Sequence, residues 1–145
     1  IADIWEDLVH DKNKSKYLSR LFLQVYELNI QQNTRVLQLI KKLSEEYTVG
    51  CISNLGAEQK TINEKIGLYD NFSKVIISSD YETRKPLAEI FNIFLEKVNV
   101  KPEECVFIDD LEENVQAAGK LRMKALLYSD IYKLRKFLAS VGVII

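Results

Sequence analysis

Cysteine and histidine are both scarce in this chain, with two of the first and one of the second among 145 residues. Two cysteines cannot build a disulfide framework, and Cys51 and Cys105 each fall in a predicted core strand, where a free thiol behaves as a small hydrophobe. A reducing compartment, the cytoplasm, is therefore expected. Neither cysteine has a His or Cys at metal-ligand spacing. His10 sits in the polar run His10-Asp11-Lys12-Asn13-Lys14 and reads as a solvated loop residue. An excess of charge is missing too: 20 Lys and Arg against 21 Asp and Glu leave a net charge of -1, so no basic face argues for nucleic acid. No apolar run approaches the length of a membrane span. The opening stretch, Ile1 to Val9, contains acids and does not read as a signal peptide. Because it opens on Ile rather than Met, the chain is expected to start inside a longer protein. There is no internal repeat, low-complexity stretch or long linker. What is present, 47% apolar and 28% charged residues, is the composition of one ordinary globular domain.

The apolar pattern divides the chain near Ile30 to Asn33. Before that point the period is helical throughout. Ile1, Ile4, Trp5, Leu8 and Val9 share one face; a polar loop, His10 to Lys16, follows; then Tyr17, Leu18, Leu21, Phe22, Val25 and Leu28 form a second stripe. These two helices are expected to pack on each other or on a partner surface. After Asn33, helices and strands alternate. Val36, Leu37, Ile40 and Leu43 mark a helix, and Thr48 to Ser53 a strand. Ala57 to Ile66 is a helix with Gly67 as its left-handed cap, and Lys74 to Ser78 a strand. Pro86 is placed in the first turn of a helix carrying Ile90, Phe91, Phe94, Leu95 and Val98. The strand Cys105 to Asp109, a helix from Leu111 to Leu121, the strand Lys124 to Tyr128 and a helix from Ile131 to Val141 complete the series. This alternation means right-handed crossovers and an α/β fold: a Rossmann-like parallel sheet with flanking helices.

In such a sheet every strand's carboxyl end lies on one edge, which is where ligands bind. Here those ends carry Ser53-Asn54, then the loop Ser78 to Arg84 leading to Lys85, then Asp109-Asp110. Adjacent carboxylates repel unless a cation lies between them, and a magnesium ion held by hard oxygens is the natural candidate. A hydroxyl and backbone N–H groups at a helix start bind phosphate oxygens, and a lysine neutralises charge as it develops. The set suits a phosphoryl group. Each part also has a plainer reading: Asp110 as the cap of the helix near Leu111, Ser53-Asn54 as a helix cap, Lys85 as a solvated lysine ahead of proline.

Three segments resemble motifs of the haloacid dehalogenase superfamily, in its helical-cap branch that includes many small phosphatases. They are Ile52-Ser53-Asn54; Arg84-Lys85-Pro86 with Glu89-Ile90-Phe91; and Val106 to Asp110 with Asn114, Ala117 and Ala118. The match runs from about Asn33 to Tyr128, and residues 1–32 resemble the end of an inserted helical cap. The resemblance implies that Ser53 binds a phosphoryl oxygen and Asn54 assists in binding substrate. It implies that Lys85 holds nucleophile and phosphate in place, and that Asp109 and Asp110 hold Mg2+ directly or through water. It implies a small phosphorylated metabolite as partner, with no nucleic acid and no membrane. The paired acids favour phosphate chemistry over dehalogenation, which in this family works without metal.

The departures matter as much. Leu87-Ala88 replaces the usual Asp-Pro, and Arg122 stands where a glycine commonly follows the leucine, so the turn from Leu121 to Met123 is open to change. Above all, the family's first motif, a strand ending Asp-x-Asp that supplies nucleophile and general acid/base, has no counterpart. Asp3 and Asp7 lie on a helical pattern. The lost strand would be the central one, between those ending at Ser53 and Asp109, so residues 33–145 are expected to form a core lacking it. Two unpaired edges would then invite an unseen segment, another copy or a rearranged sheet, with self-association a consequence. The leading expectation is part of a phosphatase working through an aspartyl-phosphate on an upstream aspartate, with the chain alone inactive. The alternative is a catalytically inactive binding or scaffold protein. A receiver domain of the response-regulator type ranks lower, because there the lysine follows the acids.

Overall fold

The computed structural model describes residues 2–145, with side chains from Glu6 onward. Helices α1 (Ala2–Val9) and α2 (Lys12–Asn29) form a hairpin. The polar loop between them is shorter than its composition suggests: the Asp11 carboxylate accepts from the N–H groups of Asn13 and Lys14, at 2.9 and 3.1 Å, and starts α2 at once. His10, exposed and at φ 50°, makes the turn. The apolar stripe of α2 does not become core. Tyr17, Leu21, Phe22, Val25 and Leu28 are exposed, while Ser15 and Ser19 are buried. Serines have little bulk, so they let a neighbouring backbone approach closely, and that face is the one α2 turns inward.

From Thr34 the chain alternates as the pattern demands: α3 (Thr34–Leu43), β1 (Gly50–Ser53), α4 (Ala57–Lys65), β2 (Lys74–Ile77), α5 (Ala88–Val98), β3 (Val106–Asp109), α6 (Glu112–Lys120), β4 (Lys124–Leu127) and α7 (Ile131–Ser140). Both strand pairs are parallel. Gly50 to Ser53 run in register with Lys74 to Ile77, and Val106 to Asp109 with Lys124 to Leu127. Among the described residues these are two separate two-stranded sheets.

Side-chain packing unites them where backbone pairing does not. Helix α5 offers Ile90, Phe91 and Leu95 to a core that takes Ile52 and Ile76 from one sheet, Phe107 and Ala125 from the other, and Ala118 and Met123 from the α6 region. The opposite face of β3 and β4 presents Val106 and Leu126 to Leu39 of α3 and to Leu134 and Leu138 of α7. This alternation of faces along each strand gives the helical layers on either side. Two backbone positions are tightly specified. A Cβ at Gly50 would run into the Phe94 ring, and Gly67, at φ +68°, ends the turn after α4 as a glycine can. Pro86 is not in the first turn of α5. It lies in the turn from Arg84 to Leu87, closed by the Leu87 N–H donating to the Arg84 carbonyl at 2.9 Å, and α5 begins at Ala88. The Lys85–Pro86 peptide is cis.

Candidate active site

Strand β3 ends in Asp109, which the pleat turns to the same face as Phe107, toward α5 and α6. Lys85 arrives on the loop that leaves β2. Its Nζ donates to Asp109 Oδ2 at 2.7 Å, and the two side chains are only 13% and 5% exposed. This pair joins the loop that leaves one sheet to the end of a strand in the other. The lysine lies along a dry wall, its Nζ 5.9 Å from the centre of the Phe107 ring, which in turn meets Phe91 edge-on at 5.1 Å. Two further donors serve Asp109 Oδ1: the Leu111 N–H and the Asn114 side-chain amide, both at 2.9 Å. Burial alone would push the Asp109 carboxyl up. The Lys85 ammonium, the Asn114 amide and the Leu111 N–H outweigh it and hold that carboxyl below its ordinary value.

The loop carrying Lys85 is tied to the end of β1. The Ser78 hydroxyl accepts from the Leu55 N–H at 3.1 Å and donates to the Leu55 carbonyl at 3.2 Å. Lys60 reaches Asp80 at 2.8 Å. Asn54 accepts from the Lys85 N–H and donates to the Lys85 carbonyl, each at 2.9 Å. Ser53, half-buried, closes β1 opposite Ile77, on the edge where Lys85 and Asp109 meet. Neither Ser53 nor Asn54 caps α4, whose N-cap is Gly56. Asp110 is exposed and is not the cap of α6 either: the N-cap position is Leu111, and the carboxylate that takes the Leu111 N–H is that of Asp109. Cys51, on β1, is half-buried; burial pushes its thiol up to about 11, against the pull of the Lys85 ammonium, and so disfavours the thiolate.

Of the residues singled out in the sequence, Lys85, Asp109 and Asn54 come into direct contact, while Ser53 and Asp110 adjoin them in the chain. Asn114 was visible only as part of a motif. It is 1% exposed, so an amide spaced with Ala117 and Ala118 along the inward face of α6 was the signal that it serves a buried polar partner.

No group of three or more His, Cys, Asp or Glu able to hold a metal exists among the described residues. The donor set must therefore be judged on two carboxylates. Asp109 Oδ1 already accepts two hydrogen bonds, Oδ2 accepts one, and Asp110 is open to solvent. Magnesium keeps several waters and takes one or two carboxylates beside substrate phosphate oxygens, so this sparse, hard-oxygen pair fits it.

The arrangement is that of a parallel α/β protein with a lysine–carboxylate centre at the carboxyl edge of its strands. The family described as haloacid dehalogenase-like hydrolase matches residues 2–128. The chain belongs to that family. It is 32% identical over 105 residues to an uncharacterised hydrolase of Schizosaccharomyces pombe, a match covering 66% of this chain and 46% of that protein. It is 26% identical over 107 residues to flavin mononucleotide hydrolase 1 of Arabidopsis thaliana, a chloroplast protein, covering 73% of this chain and 44% of that one. The chain thus spans less than half the length of these two relatives. Among solved structures, a family enzyme of Bacteroides thetaiotaomicron in complex with magnesium superposes with a TM-score of 0.68 at 28% identity, over 74% of this chain and 59% of that one. The same enzyme has been solved with magnesium and inorganic phosphate, with a TM-score of 0.66 at 29% identity over 72% of this chain and 58% of that one.

Proposed function

We propose that this chain supplies the phosphoryl-oxygen, lysine and metal groups of a magnesium-dependent phosphatase acting on a small phosphomonoester. The observation that carries the reading is the buried 2.7 Å pair of Lys85, on the loop after β2, and Asp109, at the end of β3, made by residues 24 apart in sequence. A lysine held there stands ready to neutralise non-bridging phosphoryl oxygens as charge grows on them. The Ser53 hydroxyl, at the end of β1, is the donor for one such oxygen. Asp109 and Asp110 would hold magnesium, which draws charge from a bound phosphoryl oxygen and orients it. The nucleophile comes from an aspartate on an upstream strand inserted between β1 and β3, and water releases the phosphoryl group from it. Flavin mononucleotide, the substrate in the Arabidopsis relative's name, is a phosphomonoester, and the Bacteroides neighbour holds magnesium with phosphate. Both support the reading. Residues 1–32 are the end of a helical cap in this scheme, and residues 33–145 the core that awaits its central strand. The two free cysteines support a reducing, cytoplasmic setting.

A second reading is a binding or scaffold protein that keeps the fold without turnover. It draws on Asp3 and Asp7 lying within α1 rather than at a strand end. One assay separates the two. Hydrolysis of p-nitrophenyl phosphate by the protein with its upstream sequence is measured with and without magnesium, beside Asp109→Asn. The phosphatase reading expects metal-dependent turnover lost in the variant. Turnover that ignores both metal and substitution would overturn it, and phosphate binding without turnover favours the scaffold.

A further inference from the structure

Asn54 follows Ser53 at the edge where a substrate would sit, yet its amide is committed to the protein's own backbone. Oδ1 takes the Lys85 N–H and Nδ2 gives to the Lys85 carbonyl, both at 2.9 Å. A reciprocal pair of this kind fixes the orientation of a residue's backbone as well as its position, much as a neighbouring strand would. The requirement is real. Lys85 must cross from the loop after β2 to Asp109 on the other sheet, and no strand pairing registers one sheet against the other among the described residues. A lysine stem is long and rotamer-rich, so the place where its ammonium comes to rest depends on where its backbone is pinned. Of the loop's other ties, Ser78 to Leu55 and Lys60 to Asp80 hold its beginning, while Tyr81 packs on the core and Thr83 is buried; none of these bonds the Lys85 backbone, which Asn54 does.

We propose that Asn54 is a positioning residue: it clamps the backbone of Lys85 so that the ammonium spans to Asp109 and stands where phosphoryl oxygens would be met. The mechanistic value of the clamp rests on the reading of Lys85 as a site residue; the clamp itself is read at the ammonium, whatever the reaction.

The test labels the protein with 15N-lysine and observes the Lys85 ammonium by NMR. A buried, ion-paired ammonium exchanges its protons slowly enough to give a signal, identified by its loss in Lys85→Met. Asn54 is exposed, so Asn54→Ala opens no cavity. Asn54→Ala is expected to abolish the signal, and Asp80→Asn, which cuts a loop tie away from Lys85, to preserve it. Asn54→Asp keeps an acceptor for the Lys85 N–H but no donor for its carbonyl, and should give an intermediate signal. A wild-type signal in Asn54→Ala overturns the proposal, as does equal loss in Asn54→Ala and Asp80→Asn, which would mean general loosening. In turnover by the protein with its upstream sequence, Asn54→Ala should lower kcat by about 10²-fold with KM little changed, as expected for a misplaced charge. A raised KM with unchanged kcat would mark substrate contact instead and overturn the clamp. Signal loss in a protein that, with its upstream sequence present, hydrolyses no phosphomonoester would uphold the clamp and sink only the phosphatase reading.

Discussion

At the scale of single residues, Lys85 and Asp109 hold each other in a place neither would occupy alone. Lys85→Met removes the ammonium and leaves Asp109 buried with the Leu111 and Asn114 donors. Burial then has a weaker opponent, and the carboxyl's affinity for a proton rises. Losing one member of such a pair costs about 3 kcal/mol. The pH dependence gives the sign. In the wild type the folded-state value lies below the ordinary one, so this carboxylate adds stability above about pH 3.9 and loses it as pH falls through the depressed value. The deficit of Lys85→Met should therefore be widest near neutrality and shrink below about pH 4. Urea unfolding of both proteins across that range reads it directly, and a deficit that does not vary with pH would contradict the account. That Lys85 and Asp109 share one edge was legible in the sequence from strand order, whereas their direct ion pair was not, the lysine being expected to hold nucleophile and phosphate. The Asn54 clamp was not, because its partner is backbone, and no pattern of side chains announces a backbone contact.

At the scale of elements, the alternation of helix and strand after Asn33 was legible, since period-3.6 and short apolar runs each imply one kind of structure. Boundaries near turns were less so. Pro86 suits the first turn of a helix, but the bond from Leu87 to Arg84 uses it in a turn ahead of α5. The stripe on α2 satisfied every rule for a buried face and is exposed, since periodicity identifies an apolar face without saying what will cover it. Arg122 shows the reverse. It occupies φ 71°, the left-handed conformation that a glycine would hold at no steric cost, so the turn is kept and the residue bears the strain. Gly50 is the sharpest test at this scale. A methyl group there collides with Phe94, so Gly50→Ala should destabilise by about 1–3 kcal/mol through forced repacking of α5 on β1. Adding Phe94→Leu should recover part of that loss, because residues in contact couple. Urea midpoints of the two single variants and the double variant decide it, and strict additivity would remove Phe94 as the cause.

At the scale of the whole molecule, the two sheets matter more than any one of their strands. A parallel sheet is normally covered on both faces and continuous across its width, and its middle strands read as apolar runs because nothing exposes them. Here β3 has that composition, yet Ile108 is 36% exposed, and each of the four strands has one edge with no partner among the described residues. An apolar strand with a free row of N–H and C=O groups is a template for pairing. The expectation of a missing strand came from the family resemblance, whose first motif would supply a strand between those ending at Ser53 and Asp109. The sequence could not say whether the chain would close over the gap, since that outcome depends on whether α5 can hold both halves without it. Phe91, Ile90 and Leu95 do hold both. The expected consequence is association of this 145-residue chain through its free edges. Sedimentation equilibrium should show a mass that rises with concentration, and Ile108→Lys, which sets a charge on the exposed strand, should restore the monomer. A peptide carrying an apolar strand that ends in Asp-x-Asp should compete with association and return the wild type to a single copy of the chain. If the wild type is monomeric at every concentration and unaffected by the peptide, the edges are closed in solution and the open-core view of this molecule fails.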